Sequence, residues 1–328
     1  MTTVLEVKEQ LKLFYSKFEA FILPVIKFAI SVTTFFLIRS TFGYNARVST
    51  TSVCLILALI CSILPFGVLI LLSAAVILAD LYTLSLEVCL TTAAIFLVIA
   101  LLYLRFSPKT DFMIVLTPIC FVLHIPYIMP AAGGLLTDPT SAVSILCGTF
   151  LYYFLKGIRD SAPTLAQVEE DSRTAKVTAI VNQITGNREM LLLLLVFALM
   201  VVIVYVLRRL AIRHAWTLAI IAGFMVEFVI MLAGFVILGL GSRILYIVLG
   251  NVVSVAIAFL LKFLFFHVDY KRTERVQFED DDYYYYVRAV PKIKVPAQEK
   301  QVKKISGSSH SHSRPERSRP RSEKQTDI

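Results

Sequence analysis

The residue with the clearest capacity for chemistry is one acid in the middle of an apolar run. Glu227 lies between Val226 and Phe228, twelve residues after Ala215 and fourteen before Gly241. A charged side chain at the centre of a bilayer costs about 2.5–3.5 kcal/mol on insertion scales, so such a residue usually faces a cavity or pairs with a base. We predict that Glu227 is a proton or cation site. The alternatives are a neutral acid bonded to a neighbouring helix, or the tip of a hairpin that meets water.

Two further ionisable residues occupy apolar runs. Lys27 lies about eight residues into the first run and is a potential partner for Glu227, although its long stem favours snorkelling to the nearer interface. His124 precedes Pro126 by two residues, and we interpret it as a packing histidine. The residues after it, beginning with Tyr127, predict either a plain turn or a broken helix end whose freed carbonyls bind an ion.

The motifs of soluble enzymes do not occur in the sequence. It has no glycine-rich phosphate loop, no H-E-x-x-H and no G-x-S-x-G. The five cysteines lie in apolar runs and form no C-x-x-C pair, which favours small buried residues over a disulfide or zinc framework. His310 and His312 have no thiol or carboxylate neighbours that would help them to hold a metal. We therefore predict neither enzymatic activity nor a bound metal or cofactor.

The amino-acid composition predicts the kind of structural element that positions Glu227. Of the 328 residues, 57% are hydrophobic and 17% are charged, whereas an average soluble domain is about 45–50% apolar and about 25% charged. This balance excludes an ordinary soluble enzyme. It predicts an all-α, polytopic transmembrane bundle in a lipid bilayer, and we place it in the plasma membrane.

The apolar runs predict individual spans, because a hydrocarbon core of about 30 Å requires about 20 residues of helix. Two longer runs, 52–80 and 215–241, either cross once or return as hairpins, and Pro65 interrupts the first. The lysines and arginines of 105–112 and 156–189 favour hairpins for both, since both segments then share the inner side with the termini. Six runs predict single spans: 20–38, 86–104, 113–130, 141–158, 190–208 and 244–267.

Composition also predicts how the chain is divided. Residues 1–19 form an amphipathic helix at the membrane interface, 20–158 and 190–268 are two membrane halves, and 159–189 is a cytoplasmic amphipathic helix. The order of span, long run and span occurs at 20–105 and again at 190–267. A shorter repeat, an Ile-Cys pair followed by a proline and an aromatic residue, occurs at 60–66 and at 119–127. Transporters are often built from such repeats, although apolar sequence also produces them by chance.

The polar tail contains an extended segment, 269–296, and a basic segment, 297–328, that we expect to be disordered. From Arg288 onward the chain has 11 Lys/Arg and 4 Asp/Glu, which favours a cytoplasmic C-terminus and contact with anionic lipid. Nucleic acid is not expected, because no folded binding module accompanies the charge. The tyrosine-rich stretch favours a strand that docks a cytosolic protein through 276–295, a hairpin on the protein's own inner face, or an interfacial aromatic strip. The predicted docking residues are Phe278, Tyr283, Tyr284, Tyr285, Tyr286, Val287, Val290 and Ile293.

Two functions follow from these patterns. The first is a non-enzymatic membrane component or scaffold whose tail recruits a partner. The second is a transporter of a small solute or ion that uses Glu227 at a repeat interface. The scarcity of other polar residues in the spans favours the first.

Overall fold

The computed structural model describes residues 2–45, 48–107, 110–167, 178, 181–182, 184–210, 212, 214–239, 244–265, 274–279 and 284–289. The chain divides into two units, Met1–Val268 and Asp269–Ile328. The helices are α1 (Thr2–Thr41), α2 (Thr51–Ile63), α3 (Phe66–Leu84), α4 (Leu86–Phe106), α5 (Asp111–Val122), α6 (Ile128–Leu136), α7 (Ser141–Gln167), α8 (Arg188–Arg209), α9 (Ala215–Ile237) and α10 (Ile244–Phe265). In the second unit β1 (Glu274–Glu279) and β2 (Tyr284–Ala289) form an antiparallel pair.

The membrane unit is a helical bundle, so the predicted all-α polytopic fold is confirmed. Seven of the described helices are long and apolar enough to cross a membrane. The chain is therefore an integral, multi-pass membrane protein. These seven spans are Phe14–Thr41, α3, α4, Ser141–Pro163 in α7, α8, α9 and α10.

Helix α1 joins the predicted interfacial helix to the first span. It is continuous from Thr2 to Thr41, but its backbone leaves helical geometry at Phe18, one residue before the predicted boundary. Helix α7 extends past residue 158, where its span was predicted to end, and continues to Gln167 with Pro163 inside the helix. Most of the remaining predicted helix in 159–189 lies outside the described residues.

The predicted span 113–130 is wrong, because this run holds two short helices. Helix α5 has 12 residues, about 18 Å at 1.5 Å per residue, and cannot cross a 30 Å core. It ends at Val122, and the chain turns through His124 at a φ of 60°. The helical conformation is disfavoured for the residue before a proline, and Pro126 therefore ends helical continuity before α6 begins.

The two long runs behave differently from each other. Residues 52–80 break at Pro65 into α2 and α3, whereas 215–241 forms the single helix α9. The hairpin predicted for 215–241 is therefore wrong. Helix α9 keeps its glycines because neighbours pack directly on them: a β-carbon at Gly223 would lie 2.5 Å from Val204 Cγ2. The longer repeat, at 20–105 and 190–267, accordingly differs in helix number between its two copies.

Polar contacts define one end of the bundle, here named the Arg208 end. Arg208 donates hydrogen bonds to the backbone carbonyls of Leu135 and Thr137 at the end of α6, and its guanidinium stacks on Trp216 at the start of α9. Thr217 in turn accepts a hydrogen bond from Lys262 Nζ, 2.5 Å away, near the end of α10. The end of α8, the start of α9 and the ends of α6 and α10 therefore lie together.

A second set of contacts defines the opposite end, the Asp80 end. The backbone amide of Asn45, just after α1, donates to Asp80 Oδ1 at 3.1 Å. Tyr44 lies within electrostatic range of both Asp80 and Arg159, which brings the later part of α7 to the same end. Tyr153 Oη donates to Glu189 Oε1 at 3.0 Å, so α8 starts on this side.

Helices α5 and α6 form a re-entrant hairpin, a segment that enters and leaves at the Arg208 end. Thr110 and Ser144 share a 2.8 Å hydrogen bond at the starts of α5 and α7, and Phe121 stacks on Tyr152 further along both helices. The two helices are therefore parallel. Helix α6 runs back, because its last carbonyls bind Arg208.

Helices α2 and α3 form a second hairpin, which enters from the Asp80 end. Arg39 donates to Thr51 Oγ1 at the start of α2, and Ser62 Oγ donates to the Pro24 carbonyl at 2.8 Å near its end. Helix α2 therefore runs antiparallel to α1, and α3 returns to Asp80. The two short helices α2 and α5 enter the bundle from opposite ends.

This connectivity contradicts the side assignment made from loop charges. Helix α4 ends with Arg105 at the Arg208 end, while α7 carries Arg159 to the Asp80 end. Segments 105–112 and 156–189 therefore do not share a side. The assignment failed because it counted 113–130 as a full crossing.

The packing of the re-entrant hairpin against α8 can be tested at Gly134. A β-carbon there would lie 2.7 Å from Val204 Cβ and 3.0 Å from the Val201 carbonyl oxygen. We expect Gly134→Ala to destabilise the protein by about 1–3 kcal/mol, the usual cost of overpacking, measured as a lower unfolding temperature in detergent. Gly186→Ala is the control, because a β-carbon at Gly186 meets no atom within 4 Å. Equal unfolding temperatures for the two variants would contradict this packing.

Candidate functional site

Helix α9 directs Glu227 into the bundle. Glu227 is 1% exposed, and neither carboxylate oxygen has a hydrogen-bond partner. It lies on a stripe of buried residues at helical spacing, which turns one side of the helix inward. The stripe comprises Ala219, Ile220, Gly223, Phe224, Glu227, Met231 and Phe235.

Helix α10 brings two more buried polar residues to the same depth. The contact between Lys262 and Thr217 fixes α10 antiparallel to α9. Ten residues along α9 from Thr217 is Glu227, and eleven residues back along α10 from Lys262 is Asn251. Asn251 and Ser254 are both buried, and Asn251 Nδ2 and Ser254 Oγ have no hydrogen-bond partner. Helix i, i+3 spacing places these two residues on one face of α10.

The turn of the re-entrant hairpin closes this region from a third direction. A β-carbon at Gly250 would lie 2.6 Å from the His124 carbonyl oxygen and 3.1 Å from Tyr127 Cε2, so only glycine lets the turn approach α10 this closely. Tyr127 is buried and lies within electrostatic range of Glu227. We name Glu227, Tyr127, Asn251 and Ser254 the Glu227 site.

The Glu227 site combines acceptors and donors that the protein itself leaves unsatisfied. A buried polar group without a partner costs about 1–3 kcal/mol, and an unpaired charge costs more. A proton on Glu227 removes the charge and adds a donor, whereas a small cation would find carboxylate and hydroxyl oxygens. Proton or cation binding is the chemistry that this arrangement favours.

Lys27 lies elsewhere in the bundle. Its Nζ donates to the Leu64 carbonyl at 3.2 Å and lies 5.5 Å from the centre of the Phe66 ring. These partners belong to the turn between α2 and α3, whereas Glu227 packs among α8, α9 and α10. Lys27 therefore binds a carbonyl at the end of α2, and the structure does not bring it to Glu227.

His124 contributes its backbone rather than its ring to the Glu227 site. Its side chain is exposed at the surface of the bundle, with the ring centre 6.0 Å from that of Tyr246. Its positive φ makes the turn that presents its carbonyl oxygen to Gly250. The turn directs the His124 side chain outward, where its ring lies beside Tyr246, and its packing role stays a prediction.

Three buried residues escaped the sequence interpretation. Asn251 and Ser254 interrupt an apolar span three residues apart, and that spacing would have been a usable signal. Asp80, at the end of the long apolar run 52–80, is 1% exposed and accepts the Asn45 amide. Next to it, burial raises the pKa of the Tyr44 phenol, Arg159 opposes this and Asp80 adds to it. Asp80 stabilises the loop after α1.

The structure shows one small cavity away from the Glu227 site. It lies at the Asp80 end, beside the hydrogen bond from Tyr153 to Glu189. Glu227 is not among its lining residues, which are Tyr153, Phe154, Gly157, Ile158, Ile184, Asn187 and Met190.

Some of the predicted docking residues lie in the strand pair. Phe278 belongs to β1, and Tyr284 to Val287 belong to β2. The register places Phe278 opposite Tyr285. Tyr283, Val290 and Ile293 lie outside the described residues, as does the segment 297–328.

No family model matches the chain, and no match was found among curated proteins or solved structures. Function is therefore inferred from the site itself rather than from the fold.

The protonation of Glu227 can be tested with dicyclohexylcarbodiimide, an apolar reagent that modifies protonated carboxyl groups. We expect Glu227 to be labelled at neutral pH, because an ionised carboxylate without a partner is unfavourable in apolar surroundings. Labelling should fall as the pH rises, with mass spectrometry of peptides as the measurement. Glu19, an exposed carboxylate in α1, is the internal control. Labelling of Glu227 no stronger than that of Glu19 would contradict a protonated site.

Proposed function

We propose that the protein is a non-enzymatic membrane transporter in which Glu227 carries the coupling proton. The observation that carries this proposal is the burial of Glu227, whose carboxylate oxygens have no hydrogen-bond partner among the described residues, within electrostatic range of Tyr127 at the turn of the re-entrant hairpin. Intramembrane carboxylates of this kind commonly mark proton relays and ion pathways. A purely structural carboxylate would instead have hydrogen-bond donors around it.

The arrangement of the short helices supports the same function. Transporters often bind their ligands where discontinuous helices meet, between repeats of opposite orientation. Here α2 and α5 enter from opposite ends, and both precede a proline turn. The shorter sequence repeat, 60–66 and 119–127, falls on these two turns.

A transport step follows from the electrostatics of the Glu227 site. With a proton bound, Glu227 is neutral and tolerates the dry interior. Release of the proton leaves an unpaired carboxylate, which favours a state that admits water or a cation. The re-entrant hairpin is the element whose movement would open the site, because its turn covers α10 at Gly250.

We place the Arg208 end, and with it the tail, in the cytoplasm of a plasma-membrane protein. Arginines lie at both ends of the bundle, Arg39 and Arg159 at the Asp80 end and Arg105 and Arg208 at the Arg208 end, but the 11 Lys/Arg from Arg288 onward follow α10, which ends at the Arg208 end. Positive charge is retained on the cytoplasmic side of membranes.

The transport proposal is tested by proton flux into proteoliposomes that contain a pH-sensitive dye. With an inside-negative potassium potential, the intact protein should acidify the lumen faster than empty liposomes do. Glu227→Gln should reduce the rate to that of empty liposomes, because the amide cannot carry a proton.

Glu19→Gln is the matched control, since it makes the same chemical change at an exposed position, and it should keep the full rate. The proposal fails if Glu227→Gln keeps the flux, or if the unchanged protein never exceeds empty liposomes.

A second candidate function is a membrane component whose tail docks a cytosolic protein. It is favoured by the strand pair of β1 and β2, which lies in the second unit of the chain. Strand pairs have free edges that another sheet can extend.

This second function predicts that deletion of residues 278–295 abolishes recovery of a partner with the tagged protein. Deletion of 301–328 should leave recovery unchanged, because it removes basic charge without touching the strands. Mass spectrometry of proteins retained from cytosol compares the two. Identical profiles with and without 278–295 would exclude docking through this stretch.

A further inference from the structure

The register of the strand pair collects apolar residues on one face. Val276 lies opposite Val287, and Phe278 lies opposite Tyr285. Residues two apart in a strand belong to the same face, so these four positions make the apolar face, and the remaining pair on that side, Glu274 and Ala289, lies at its end.

The other face of the strand pair is polar. Arg275 lies opposite Arg288, and Gln277 lies opposite Tyr286. The strand pair is thus amphipathic, although neither strand shows this unless the register is known.

An isolated pair of strands is marginally stable in water and gains stability when its apolar face packs on another surface. The connection to the membrane limits what that surface is. Helix α10 ends at Phe265 and β1 begins at Glu274, and eight intervening residues reach at most about 30 Å when extended. The strand pair can therefore always reach the bilayer surface, because this short connection keeps it there at a high effective concentration.

The composition around the strands fits the same surface. Tyrosine is enriched where membranes meet water, and Tyr285 lies on the apolar face, while Tyr284 and Tyr286 lie on the opposite face. The chain from Arg288 onward carries 11 basic and 4 acidic residues, and such a segment is attracted to anionic lipid.

We propose that the apolar face formed by Val276, Phe278, Tyr285 and Val287 lies on the lipid surface of the membrane. The strand pair is an interfacial anchor, and the basic segment after it binds anionic headgroups. This inference is independent of the transport proposal.

The test uses tryptophan emission from the full-length protein in vesicles of phosphatidylcholine and phosphatidylglycerol. Trp216 is the one tryptophan of the chain, and Trp216→Phe gives a silent background. The Phe278→Trp variant should emit at a shorter wavelength than a tryptophan in water. Its emission should also be quenched about twofold by phosphatidylcholine brominated near the headgroup, as expected for an interfacial aromatic residue. Gln277→Trp, one residue away on the polar face, should keep its emission.

Val287→Trp repeats the test on the other strand, and its emission and quenching should match those of Phe278→Trp. Agreement between the two variants shows that the result does not come from local unfolding caused by one substitution. Equal quenching at positions 277 and 278, or quenching at neither, would overturn the proposal. A Phe278→Trp emission that is shifted to shorter wavelength but not quenched would place a protein on this face instead, and would overturn it equally.

Discussion

The structure depends on one constraint, which is that backbone polar groups within an apolar environment must find partners inside the protein. The re-entrant hairpin meets it although its helices stop inside the bundle. Its turn is closed by its own amides, with His124 N donating to the Phe121 carbonyl at 3.1 Å and Ile125 N to the Cys120 carbonyl at 2.9 Å. At its far end Arg208 binds two carbonyls that would otherwise lack donors. The backbone groups at the turn between α5 and α6 and at the end of α6 therefore both have partners inside the protein.

The same constraint indicates that the two buried acids have different roles. Asp80 and Glu227 are each 1% exposed, yet Asp80 Oδ1 accepts a backbone amide and stabilises a loop. Among the described residues neither oxygen of Glu227 has a hydrogen-bond partner, and helix α10 adds Asn251 and Ser254, whose donors are also unused. Burial of so many unsatisfied groups lowers stability, and such groups are retained where a proton or ligand uses them.

Sequence patterns predicted the parts of the fold that depend on composition. Long apolar runs with charged ends marked α4, α7, α8 and α10 correctly. The re-entrant hairpin was missed because its run is as apolar as a span. Its turn arises from Pro126 and from a positive φ at His124, which no periodicity reveals. Glu227 was identifiable as a single acid in a span. Asn251 and Ser254 were not linked to it, because that link requires the register between two helices.

The central claim is that α5 and α6 enter and leave at one face of the membrane. Single cysteines at the exposed positions Arg105, Thr140 and Asp160, in a protein whose five native cysteines are replaced, test it with a membrane-impermeant maleimide applied from one side at a time. The structure predicts that Arg105→Cys and Thr140→Cys react from the same side and Asp160→Cys from the other. Reaction of Thr140→Cys from the side opposite to that of Arg105→Cys, with Asp160→Cys then on the side of Arg105→Cys, would show that residues 111–136 cross the membrane and would contradict the re-entrant hairpin.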